Sequence, residues 1–131
     1  MVNDRVGDFI IRFQNAARIG RREVVAPYSA HLLAIAKKLA ELGFITSVDV
    51  EGKDTKRIIR ASLVYDERGR ARVRGVKRIS KPGRRLYAPY THAHQVKGGT
   101  GARLFSTSVG VLSDTEVRRH HIGGEELFEI W

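Results

Sequence analysis

The sequence reads as an α+β protein. It comprises an N-terminal α-β-α-β-β unit packed against a C-terminal small antiparallel β-sheet with one short helix. Three observations lead there. Apolar residues recur at helical spacing over residues 6–17 and again over 32–42. The period then drops to two in "FITSVDVEG" and "RIIRASLVYD", the pattern of strands with one buried face. After the polar turn "DERGRA" come short apolar runs broken by Gly and Pro, with one capping signal.

In the first helix Val6, Phe9, Ile10, Phe13 and Ala17 form the apolar stripe, with Asn3 or Asp4 as cap and Gly20 as stop. Glu23 to Pro27 is extended. Ser29 caps the second helix, whose buried stripe is Leu32, Ile35, Ala36, Leu39 and Leu42, and Gly43 ends it. "GKDTK" joins two strands, the second with Ile59, Ala61 and Leu63 on its buried face. The expected domains are 1–66 and 67–131, the second mostly β. Arg72 to Ile79 reads as a strand with Arg72 and Arg74 on one side, and "SKPG" as a bend in which Gly83 can take a positive φ. "RRLYAP" and "ARLFSTS" are strands, "THAHQVKGGTG" a loop or weak helix. "SDTE" is a capping box and "EELFEIW" a closing strand after a Gly-Gly turn. Strict alternation puts Glu126 beside Phe128 and Ile130, so neither face of that last strand is clean.

Of the 131 residues 42% are hydrophobic and 29% charged, which suits a folded domain. The absence of cysteine excludes disulfides and cysteine-ligated metal. The opening residues carry no charged-then-apolar leader, no apolar run approaches a membrane span, and the expected location is the cytoplasm. The net charge is +10 and unevenly placed. Arg68, Arg70, Arg72, Arg74, Lys77, Arg78, Lys81, Arg84 and Arg85 fall within eighteen residues that hold no acid. A run of this kind suits the phosphates of a polyanion. Tyr87 and Tyr90, beside arginines, suit stacking on an unpaired base.

"LFSTSVGVLSD" adds Ser106, Thr107 and Ser108 in a row. Hydroxyls donate one hydrogen bond and accept two on a short side chain, so backbone and ligand can come close. A shallow RNA minor groove, with its 2′-hydroxyls and base edges, is recognised in that way. Cations would supply attraction and this row would supply fit. The histidines, His92 with His94 and His120 with His121, lack a metal-ligand spacing. Ser106, His121 and Asp114 have no nucleophile-elbow sequence around them, and "GGTG" lacks the lysine of a phosphate loop. No metal, cofactor or catalytic activity is expected.

"RISKPGRRLY", "STSVGVLSDTEVR" and "GGEELFEIW", in this order and spacing, resemble the bacterial-type small-subunit ribosomal protein eight family. "DRVGDFIIRFQNA" and "PYSAHLLAIAKKLAELGFI" are similar to its first two helices, so the resemblance covers essentially the whole chain. It implies a structural constituent of the small ribosomal subunit, in the cytoplasm, that binds an irregular helix in the central domain of 16S ribosomal RNA early in assembly. It implies contacts with neighbouring small-subunit proteins, and in some members repression of their own operon through a messenger RNA mimic. Carried over residue by residue, the implied RNA-binding set is Asp4, Arg12 and Asn15 in the first helix, and Ser80, Lys81, Pro82 and Gly83 in the turn. Lys77 and Arg78 precede that turn and Tyr87 follows it. Ser106, Thr107, Ser108 and Gly110 form the hydroxyl block, and Glu125 follows the double glycine. Gln14, Ala30, His31 and Val109 stand where the family favours basic residues, and Arg84, Arg85 and Arg103 are the expected compensation.

Overall fold

The computed structural model describes residues 4–93, 96 and 100–131. The chain divides into two compact units, one formed by Asp8–Arg74 and one by Gly75–Trp131 with residues 4–7. The division falls after Arg74, eight residues beyond the 66/67 boundary expected from the "DERGRA" turn.

In the first unit the order is α1 (Arg5–Ile19, whose first residues group with the other unit), β1 (Glu23–Pro27), α2 (Ala30–Glu41), β2 (Ile45–Glu51) and β3 (Ile58–Leu63). The strands form an antiparallel sheet in the order β1-β3-β2. Helix α1 starts where Asp4 Oδ1 accepts the Gly7 N–H at 2.9 Å, and Ser29 Oγ accepts the Leu32 N–H at the start of α2. Gly43, at φ +85°, ends the second helix. The core is Phe9, Ile10, Phe13, Leu32, Ile35, Leu39, Ile59 and Ala61, each at most 2% exposed. One helical turn departs from the expected stripe: Ala16 is buried and Ala17 half-buried. On the outer face of the sheet Arg60 holds Glu23 at 2.7 Å and Glu51 at 3.1 Å. Its guanidinium pKa is raised, first by the hydrogen bond to Glu51 and then by that to Glu23.

The second unit holds β4 (Val76–Arg78), β5 (Tyr87–Ala88), β6 (Ala102–Thr107), β7 (Gly110–Ser113), α3 (Asp114–His120) and β8 (Gly124–Ile130). Strand β8 is central: β4, β5 and β6 all pair with it antiparallel, and β7 extends the sheet beyond β6. Ser113 and Glu116 form the full capping box of α3. Phe105, Leu112, Val117, Ala88 and Ala93 make one core cluster.

Three local expectations are corrected. The basic strand is short, Val76–Arg78, and Arg72 and Arg74 lie outside it. Arg72 instead lays its guanidinium 4.1 Å from the centre of the Phe44 ring, so side-chain packing overrides the strand pattern there. Gly83 does not have a positive φ. The turn closes by paired backbone bonds between Lys81 and Arg84, at 3.0 and 2.9 Å, without the left-handed region. The alternation of β8 is broken by an irregularity: Leu104 pairs with Phe128 but Phe105 with Glu126. One extra residue on β8 lets Leu127 and Phe128 both be buried. It also brings Glu126 and Glu129 to the same arginine, Arg103, which resolves the mixed faces read from the sequence.

Candidate nucleic-acid interface

Strands β6 and β7 are joined through Ser108 and Val109, with Thr107 paired to Gly110. The turn is built by Thr107, whose Oγ1 donates to the Gly110 carbonyl at 2.7 Å and accepts the Val109 N–H at 3.2 Å. Gly110, at φ +121°, occupies backbone space that a side chain would strain. Ser106 and Thr107 are half-buried and Ser108 is exposed, so the hydroxyl row stays within a ligand's reach. Among the described residues, the Ser106 and Ser108 hydroxyls have no hydrogen-bond partner within the chain. Thr107 is committed to the turn, a division of labour that the sequence alone does not give.

The register extends this row across the sheet. Ser106 is opposite Glu125, and Glu125 is opposite Tyr87. Directly opposed residues on antiparallel strands project from the same face, so Ser106, Glu125 and Tyr87 form one line about 10 Å long, two strand spacings. Tyr87 is 73% exposed, which places its ring among the available surface groups rather than the core. The double glycine makes this close approach possible. A Cβ on Gly124 would stand 2.3 Å from the Ser106 carbonyl oxygen, and one on Gly123 would stand 2.5 Å from that of Ala88. The Gly-Gly pair is thus a packing requirement of three neighbouring strands as well as a turn.

Glu125 fastens the basic turn to this face. It accepts from Ser80 Oγ and, at 3.1 Å, from Arg85 Nη1, while the Leu86 N–H donates to Ser80 Oγ at 3.1 Å. Burial works against ionisation of Glu125, but the hydrogen bonds from Ser80 and Arg85 and the charges of Arg85 and Arg78 outweigh it and hold its carboxyl below the usual range. Ser80 has no exposed surface. Its side chain is therefore closed to a direct ligand contact and serves to position the turn. Lys81, Gly83 and Arg84 are exposed at the tip of that turn, with Pro82 half-buried between them.

Other residues of the expected set lie elsewhere. Lys77 is exposed on β4, opposite Glu129. Arg78 is turned inward, donating to the Leu127 carbonyl at 2.9 Å and to Asp4 Oδ1 at 3.1 Å, so it and Asp4 form an ion pair rather than a free cation and a free acid. Arg12 and Asn15 belong to the first unit, where Arg12 Nη1 donates to the Val25 carbonyl at 2.7 Å. Of the expected compensating cations, Arg85 is paired to Glu125 and Arg103 to Glu126 and Glu129, which leaves Arg84 available. Within the acid-free run, Arg78 and Arg85 thus meet their acids, Asp4 and Glu125, through contacts between residues far apart in the chain. His121 stacks on Tyr90, and Asp114 is buried, where it accepts the Arg103 N–H. His94, half of one histidine pair, lies outside the described residues. Among the described residues, no group of three or more His, Asp or Glu side chains could hold a metal ion, and no helix is long and apolar enough to cross a membrane.

Fold and face together define a small basic α+β protein that presents uncharged hydroxyls and an exposed aromatic ring on one sheet, with cations at its margin. The family model described as Ribosomal protein S8 matches residues 4–131, and the chain belongs to that family. Over its full length it is 39% identical to the small ribosomal subunit protein uS8 of Helicobacter pylori (strain Shi470) and to that of Helicobacter acinonychis (strain Sheeba), covering 100% of each. It is 37% identical to the uS8 of Brevibacillus brevis, covering 99% of that protein.

Proposed function

We propose that the chain is a structural constituent of the small ribosomal subunit in the cytoplasm. In this reading it acts by binding an irregular helix in the central domain of 16S ribosomal RNA, and it catalyses no reaction. The observation that carries the reading is the row of Ser106, Glu125 and Tyr87, continued by the unpartnered Ser108 hydroxyl at the hairpin tip. Such a surface can accept and donate to 2′-hydroxyls and base edges without the approach being held off by long charged arms. Lys81 and Arg84, exposed on the neighbouring turn, hold the phosphate backbone and set the orientation. Glu125 acts through the turn it fastens and, as an acceptor on the same face, can meet a ribose hydroxyl or an amino group. Neighbouring small-subunit proteins and a messenger mimic of the RNA site are further partners in this reading. A messenger segment of the chain's own operon would have to offer the same irregular helix.

The test is a competition titration of the ribosomal helix against generic duplex RNA at fixed moderate salt. The ribosomal helix should win. Ser108→Ala should cost about 1–3 kcal/mol of binding with an unchanged salt slope, the signature of a lost hydrogen bond at a dry contact. Lys81→Ala should lower the salt slope by about one unit. Equal affinity for both RNAs, with purely salt-dependent losses for both variants, would leave a nonspecific nucleic-acid-binding module in place of this reading.

A further inference from the structure

A groove of about 350 Å³ in the first unit runs between one face of α1 and the 69–74 loop. Its walls are Gln14, Ala17 and Arg18 from the helix and Arg70, Val73 and Arg74 from the loop. All of them belong to Asp8–Arg74. We propose that this groove is a second phosphate-binding site, taking the sugar-phosphate backbone of an RNA strand at a place separate from the hydroxyl hairpin.

The loop is built before any ligand arrives. Asp66 Oδ1 accepts the backbone N–H groups of Arg68 and Arg70, at 2.9 and 2.8 Å, and Asp66 Oδ2 accepts Arg70 Nε at 3.1 Å. The hydrogen bond from the Arg70 backbone N–H, joined by those from the Arg68 N–H and the Arg70 side chain, lowers the Asp66 pKa and outweighs its desolvation, so it stays anionic as the brace of the turn. The Arg72 N–H donates to the Val64 carbonyl at 2.8 Å and the Arg72 guanidinium covers Phe44, while Val73 is 2% exposed and anchors the loop. Arg70 and Arg74 are exposed on this braced loop and line the same groove as Arg18 of the helix.

The charge balance favours an anion. Arg70 uses one guanidinium edge on Asp66, whereas Arg18 and Arg74 have no carboxylate partner among the described residues. Three guanidinium groups against one carboxylate leave the groove at +2. Ala17 and Ala71 keep the floor low, so a strand can approach, and Gln14 adds an amide that donates and accepts. A planar guanidinium suits a phosphate oxygen pair in two-point contact. The spread of cations along a groove suits successive phosphates of one strand rather than a single small anion.

The proposal rests on the RNA-binding reading given above, and its test separates the two. Full-length chain carrying Arg70→Gln and Arg74→Gln is titrated with the 16S central-domain RNA from 50 to 200 mM salt. Each lost phosphate contact lowers the slope by about 0.7–0.9, so over this fourfold change wild-type affinity should fall about seven- to twelvefold further than that of the variant. Because the chain has no cysteine, Ala71→Cys also permits attachment of a hydroxyl-radical source at the groove. Localised cleavage of one RNA strand in the complex is expected. An unchanged slope, or absence of cleavage from residue 71 while Ser108→Ala still weakens binding, would overturn the groove and leave the hairpin reading standing. Loss of the wild-type preference for the ribosomal helix would remove both.

Discussion

Replacing Gly124 by alanine tests whether close strand approach builds the binding face. The new methyl carbon would stand 2.3 Å from the Ser106 carbonyl oxygen and 3.0 Å from Thr107 Cγ2, where ordinary contact begins near 3.4 Å. The oxygen belongs to the backbone, so strands β6 and β8 must separate by about 1 Å there. A backbone hydrogen bond normally spans about 2.7–3.2 Å, and that displacement takes it out of range. One or two ladder bonds at the start of β8, at about 1 kcal/mol net each, are lost. Overpacking adds about 1–3 kcal/mol. The expected cost is thus about 2–5 kcal/mol, a large part of a domain's usual reserve of about 5–15. Ser106 moves with its strand, so RNA affinity should fall as well. Urea denaturation reads the first effect, and an RNA titration under conditions where the variant is folded reads the second. Gly83→Ala is the control: nothing lies within 4 Å of its Cβ position and its φ is not positive, so stability should change by less than about 0.5 kcal/mol or rise slightly. A Gly124→Ala protein within about 0.5 kcal/mol of wild type, with unchanged RNA affinity, would refute the idea that this contact sets the strand spacing.

Other perturbations separate support from contact. Thr107→Ala removes both turn bonds of its hydroxyl and should cost about 1 kcal/mol of stability by urea titration, whereas the unpartnered Ser108 hydroxyl should be removable without that cost. Glu125 has a folded pKa below its ordinary value. Its stabilising contribution is therefore present above the unfolded glutamate pKa and is lost as pH falls through the depressed folded one; the stability gap between wild type and Glu125→Gln should shrink on acidification, and a gap independent of pH would exclude the linkage. Arg103→Leu strands Glu126 and Glu129, whose side chains are 15% and 14% exposed. A urea midpoint corresponding to a loss of about 2 kcal/mol is expected, below the 3–5 of a fully buried pair because water reaches both carboxylates.

The order of elements was legible because local signals agreed with one another. The stripe of Phe9, Ile10 and Phe13, the Ser29 cap and the Ser113 capping box each specify a helix within a few residues. The strand reading of 72–79 overreached because alternating arginines look like an exposed strand face, and nothing local reports that Arg72 covers Phe44. The irregularity in β8 was visible only as a conflict at Glu126, since a bulge is defined by the partner strand. The hydroxyl block and the basic turn could be picked out as residues, but not their roles. Ser80 and Thr107 look like Ser106 and Ser108 in one dimension, yet their hydroxyls are consumed by Glu125 and Gly110.

The sequence by itself determined the helices, most strand positions, the basic character and the hydroxyl row, because propensity, period and capping act over a few neighbouring residues. Only the tertiary structure decided which cations are spent on acids, which hydroxyls stay open, and that Ser106, Glu125 and Tyr87 stand in one line. Those outcomes depend on register and on contacts between residues far apart in the chain, such as Arg78 with Asp4 and Ser80 with Glu125. A pattern of neighbours along the chain carries no information about which distant partner satisfies a charge.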